Sequence, residues 1–91
     1  MVPIQTIARH LGLDEKELER ISLSSFLKDK KKELLRDKIV LLSKYNVSAI
    51  EELERKIKEG KIEEHPAWED LITAENLEIK IKELDNDIKE I

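Results

Sequence analysis

The chain contains no cysteine, only two glycines, two prolines and three aromatic side chains, and no long apolar run. Without cysteine there is neither a disulfide framework nor thiolate chemistry. Gly12, Gly60, Pro3 and Pro66 are too few turn formers for a β-sandwich or barrel, which needs turn chemistry at short intervals. No stretch approaches the ~18 apolar residues that span a bilayer, and the N-terminus shows no apolar signal segment, which points to the cytoplasm. What remains is aliphatic and charged: 40% of residues are hydrophobic, mostly Ile and Leu, and 42% are charged. Ninety-one residues of this kind support one modest core in a single domain over 1–91, and the fold class read from them is all-α. Abundant Lys, Glu and Ile with a single Gln resembles thermophile usage.

The net charge of −4 is unevenly divided: residues 1–45 balance at +3 and residues 46–91 at −7. Either the two halves meet different partners or they meet each other.

Helix punctuation predicts a small bundle of four to five helices with a long amphipathic helix at the C-terminus. Pro3 suits the first position of a helix that Gly12 closes, with Ile4, Ile7, Ala8 and Leu11 on its apolar stripe. Asp14 followed by Glu17 is a capping box opening a short second helix, and the hydroxyls of Ser22–Ser25 predict a turn after it. A long third helix is predicted from about Ser25 to Tyr45. Its buried face carries Leu27, Leu34, Leu35, Leu41, Leu42 and Tyr45, broadened by Ile39 and Val40, with Asn46 as a left-handed stop. Ser48 with Glu51 predicts a further capping box and Gly60 the end of that helix; Glu52–Lys56 and Glu54–Lys58 are i,i+4 pairs on its solvated face. Pro66 starts the last helix, where Trp68, Leu71 and Ile72 are expected to plug into the bundle. Thr73 can cap a restart, so a kink near Ala74 is expected. Beyond it Leu77, Ile81, Leu84, Ile88 and Ile91 follow the four-three spacing of a coiled-coil seam.

Reaction chemistry finds few parts here. His10 and His65 belong to no paired zinc motif, and there is no nucleophile elbow, Walker loop or glycine-rich phosphate cradle. No side chain has neighbours that tune it as acid, base or nucleophile, so the sequence predicts no enzyme and no obligatory cofactor. Calcium is the one ion worth weighing. Asp85-Asn86-Asp87 begins like an EF-hand loop, although Lys89 takes the next ligand position and no glycine follows. Glu63, Glu64, Glu69 and Asp70 cluster about the turn before the last helix; a solvated acidic surface is the plainer reading of all six carboxylates.

Thr6-Ile-Ala-Arg-His-Leu-Gly-Leu-Asp-Glu-Lys-Glu-Leu-Glu-Arg-Ile21 resembles a helix-turn-helix, with Ala8 at the close approach, Gly12 in the turn and Ile7, Leu11, Leu13, Leu18 and Ile21 at its buried positions. Glu15, Glu17 and Glu19 on the would-be recognition helix repel phosphate, whereas Lys28, Lys30, Lys31 and Lys32 could contact a DNA backbone. A DNA-binding regulator is therefore an alternative, with a packed helical corner as the plain one.

Lys44-Tyr45, the acidic helix Ser48-Ala-Ile-Glu-Glu-Leu-Glu54, Gly60, the acidic-aromatic Glu64-His-Pro-Ala-Trp-Glu-Asp70 and the leucine-rich end from Leu77 to Ile91 follow one another in order. In these elements, covering residues 44–91, the chain resembles small archaeal and bacterial antitoxin-like helical proteins of toxin–antitoxin systems. The resemblance implies a non-catalytic protein that masks a basic toxin, without a cofactor. On this reading Leu77, Ile81, Leu84 and Ile88 anchor the last helix in a partner's groove, with Trp68 at its start. Glu78, Glu83 and Asp87 steer the encounter. The same stripe equally suits the chain's own core or the pairing of two copies.

Overall fold

The computed structural model describes residues 1–91 as four α-helices without a strand: α1 (Ile4–Leu11), α2 (Glu15–Ser43), α3 (Ile50–Lys58) and α4 (Glu64–Glu90). The all-α class and the long C-terminal helix are as the sequence indicates. The shape is not globular. Its extents are 61 × 24 × 17 Å, and its radius of gyration is 19.2 Å, against about 12 Å for a compact domain of this length. The two long helices pack along one another as an antiparallel hairpin, α3 leans on α4 at one end, and α1 leans on α2 at the other.

Local chemistry explains the ends. Gly12, at φ 73°, donates its backbone N–H to carbonyls of the last turn of α1, a left-handed stop that only glycine adopts without strain. The Asp14 side chain accepts from the backbone N–H of Glu17 at 2.8 Å and so caps α2. Asn46 (φ 54°) and Gly60 (φ 75°) turn the chain after α2 and α3. In α4 the residue before Pro66, His65, is non-helical (φ −107°, ψ 130°), so the regular helix begins at the proline.

Several expectations are corrected. Ser22–Ser25 is not a turn: α2 runs unbroken through it, merging the predicted second and third helices into one of 29 residues. No glycine or proline occurs between Leu13 and Glu59, and serine alone costs a helix little. The predicted Ser48–Glu51 box is also shifted. Helix α3 begins at Ile50 without a side-chain N-cap, and the Glu52 carboxylate instead accepts from the Ser48 backbone N–H at 3.2 Å. Thr73 caps no restart; its hydroxyl donates to the Glu69 carbonyl at 3.0 Å, satisfied within the helix. Ile39 and Val40 are 63% and 60% exposed, and Ile72 is exposed as well, because each lies off the stripe that faces a neighbouring helix.

The core is small and sits at one end. Leu42, Val47, Ile50, Leu53, Ile57, Ala67, Leu71 and Ala74 form it, where α3 fills the mouth of the α2–α4 hairpin. Tyr45, Ile62 and Trp68 pack around its edge, and Leu53 is fully buried. The alanines of α4 let α3 approach closely. Elsewhere two helices share a single stripe, and only Ala8 and Ile81 are buried.

Candidate docking surface

The α2–α4 hairpin is held in register by a ladder of polar contacts. Lys31 pairs with Asp85, Lys38 Nζ lies 3.8 Å from Glu78 Oε1, and Lys44 Nζ lies 3.0 Å from Asp70 Oδ2. The Tyr45 hydroxyl donates to the same Asp70 oxygen. Positions 31, 38 and 45 recur every seven residues, the first two on one face of α2 and the third in the turn just past its end; their partners descend along α4, as antiparallel helices require. The basic half of the chain thus meets its acidic half. Burial, and then the Asp70 carboxylate, push the Tyr45 phenol up to about 12, while the Tyr45 hydroxyl and the Lys44 ammonium hold Asp70 below its ordinary carboxylate value.

The residues singled out for partner binding lie on or beside this ladder. Ile81 is buried, and Leu77, Leu84 and Ile88 are half-buried, bordering the crevice opposite Leu34, Leu27 and Leu35 of α2. Trp68 is half-buried against the core. Glu78 is engaged by Lys38, whereas Glu83 and Asp87 stay exposed along the groove edge. The structure therefore turns the seam of α4 toward α2.

The six carboxylates weighed for calcium do not converge, and no group of three or more His, Asp or Glu side chains is placed to hold a metal ion. Asp70 and Asp85 are engaged by α2, Glu69 Oε1 lies 2.8 Å from His65 Nδ1, and Glu63, Glu64 and Asp87 point outward. Of the lysines weighed for DNA, Lys31 is engaged by Asp85; Lys28, Lys30 and Lys32 are exposed, with Lys30 Nζ 3.6 Å from Glu33. The helix-turn-helix-like corner is a two-helix corner only. Its second helix continues far past the motif, and no third helix packs on it. No helix is long and apolar enough to cross a membrane.

The most unusual surface is the N-terminal arm, α1 with the first half of α2. Continuing the ladder's register puts the end of α4 level with about Ser25, leaving roughly 15 Å of α2 with no α4 beside it. Ala8 is the only buried residue before Leu42. Ile7, Leu11 and Ile21, predicted to be buried, are exposed instead, Leu11 to 60%, because two helices cannot enclose a core. Leu23 (50%) and Phe26 (65%) stand out further along α2. Sequence reasoning passed over both, since Leu23 fell in the predicted turn and Phe26 at a predicted helix start. The signal available was two apolar residues at i,i+3 among serines.

The family model described as "Uncharacterized protein MJ0235 family" matches residues 1–91. No curated protein and no solved structure matches the chain.

Proposed function

We propose that this chain, which belongs to the MJ0235 family of uncharacterised proteins, is a non-catalytic protein-binding module that docks through its N-terminal arm and the outer face of α2. One observation carries the reading: Leu11, Leu23 and Phe26 are exposed on the arm formed by α1 and the first half of α2. Isolated surface leucines are ordinary, but a run of them along one arm marks an interaction surface. The total accessible surface agrees. It is 6791 Å², against about 5,500 Å² for a compact monomer of this mass, an excess of about 1,300 Å². A typical protein–protein interface takes about 800 Å² from each partner.

The toxin-masking role that the resemblance implies is a special case of the same chemistry. The α4 seam faces α2, so such a role would use the outer face of α4. There Ile72 and Ile79 are exposed seven residues apart, with Glu75 between them. A DNA-binding role has less support, because Glu15, Glu17 and Glu19 repel phosphate along the start of α2.

The test is capture by position. With Phe26 replaced by a photoreactive phenylalanine analogue, irradiation in cells is expected to trap one polypeptide, a second copy or another chain. The same analogue at Arg55, exposed on α3, is expected to trap none. No product from position 26, or equal products from both positions, would retire the reading.

A further inference from the structure

An exposed stripe of α2, flanking its α4-facing side, is built as its own antiparallel complement. Lys16, Glu19, Leu23, Phe26, Lys30 and Glu33 step by 3, 4, 3, 4 and 3, the spacing of a helix–helix seam, and all six are exposed. Toward its N-terminal end the seam runs past the end of α4, while Phe26 and Lys30 also border the crevice beside Glu83, Leu84 and Asp87 of α4. Read in one direction it runs cation, anion, apolar, apolar, cation, anion; read backwards, every charge is opposed by its opposite.

We infer that a second copy of this chain docks on that stripe, antiparallel, with a two-fold axis between Ser24 and Ser25; the inference rests on the binding role proposed above. About that axis Leu23 packs on Phe26 of the second copy and Phe26 on its Leu23. Glu19 meets Lys30 of the second copy and Lys16 meets its Glu33, each contact occurring twice by symmetry. A parallel arrangement sets Lys16, Glu19, Lys30 and Glu33 each against its own like charge, so charge selects the antiparallel one. The seam spans 18 residues from Lys16 to Glu33, about 26 Å of helix. Within the chain Lys30 has the exposed Glu33 at 3.6 Å, a contact of little energy, and shares a crevice with Glu83 and Asp87, neither of which pairs with it. The arm beyond α4 is where the chain falls short of burying its surface. Pairing two arms supplies a third and a fourth helix there, as α3 does at the opposite end.

Sedimentation equilibrium of the intact chain tests this. A reversible dimer is expected. Glu19→Lys or Lys30→Glu alone opposes like charges twice per dimer and is expected to weaken association at least about tenfold. The double variant Glu19→Lys/Lys30→Glu is expected to restore it, a recovery that misfolding cannot mimic. The chain has no native cysteine, so register can be read by cross-linking. Lys16→Cys and Glu33→Cys chains should cross-link when mixed and neither with itself, because like positions lie about 25 Å apart. A wild-type monomer at every concentration, no restoration in the double variant, or cross-linking of either cysteine variant alone overturns the inference. Should the chain be monomeric while the analogue at position 26 still traps another polypeptide, self-pairing falls and the binding role stands.

Discussion

The two ends of this molecule use the same residue types and reach opposite results. At one end α2, α3 and α4 meet, and Leu53, Ala67, Ala74, Leu71 and Leu42 are enclosed almost completely. At the other, α1 lies on the start of α2, and of its apolar side chains only Ala8 is buried, while Leu11, Leu23 and Phe26 face outward. The difference is a matter of how many helices converge. Two helices share one stripe and leave most of its side chains partly open, Ala8 and Ile81 excepted; a third helix closes the triangle and excludes water. Stability is therefore concentrated at the three-helix end, and the arm is free to serve recognition.

The most forceful way to break that contrast is to delete the same kind of side chain at both ends. Leu53→Ala opens a cavity in the only fully enclosed large side-chain site and is expected to cost about 2–5 kcal/mol in denaturant unfolding. Leu23→Ala, measured on the dilute chain, should stay within about 0.5 kcal/mol. Equal losses would mean that the arm is as well packed as the core.

A smaller effect comes from the polar rung at the core's edge. Tyr45→Phe removes the hydroxyl that Asp70 accepts and is expected to cost about 1 kcal/mol near neutral pH. The sign of the pH dependence follows from the two shifts. Tyr45 is raised from 10.0 to about 12, so its contribution is full below pH 10 and is lost as pH rises through about 12. Asp70 is lowered from its ordinary 3.8, so its contribution is present above that value and is lost as pH falls below it. Thermal melts of Tyr45→Phe against pH should show the alkaline loss abolished and the acid loss reduced. Unchanged limbs would exclude this rung as the titrating unit.

Gly12 and Gly60 sharpen the comparison, because they differ in location and in little else. Both have positive φ, 73° and 75°, and neither has anything within 4 Å of where a Cβ would stand. Alanine at either site carries the same local strain, about 1 kcal/mol. At Gly60 that strain should appear in global unfolding, since α3 completes the core. At Gly12 it should appear as faster amide exchange confined to α1, with global stability nearly unchanged.

These contrasts also mark what the sequence could disclose. Gly12, the Asp14 cap, Asn46, Gly60 and Pro66 are legible because each acts on backbone within one turn of itself. Ser22–Ser25 misleads, because hydroxyl clusters favour turns only where no stronger helical run carries through them. Ile39, Val40, Ile72, Leu11 and Ile21 mislead in another way: helical spacing says which side chains share a face, not whether another helix arrives to cover it. Lys31, Asp85 and Asp70 stand out in the sequence as charges for an external ligand. Their engagement with one another depends on the hairpin's register, which no local window contains. The stripe from Lys16 to Glu33 is fully present in the sequence, and its meaning appears only once α2 is known to be continuous and those six side chains exposed.

The ladder between the two ends is expected to give the smallest effect, and the reason separates register from stability. Lys38 and Glu78 are 3.8 Å apart, with side chains 23% and 34% exposed, so solvent weakens their attraction and a double-mutant cycle should give only about 0.5 kcal/mol of coupling. Sliding α4 by one turn would nonetheless oppose Lys31, Lys38 and Tyr45 with the wrong residues all at once, so small rungs repeated every seven residues can fix an alignment that none of them holds alone. Lys38→Glu should therefore lower stability slightly, and Lys38→Glu/Glu78→Lys should recover it with hairpin distances unchanged by spin labels on α2 and α4. A coupling above about 2 kcal/mol would instead make the ladder an energetic rival of the core, and stability would then be spread along the hairpin rather than gathered where the third helix closes it.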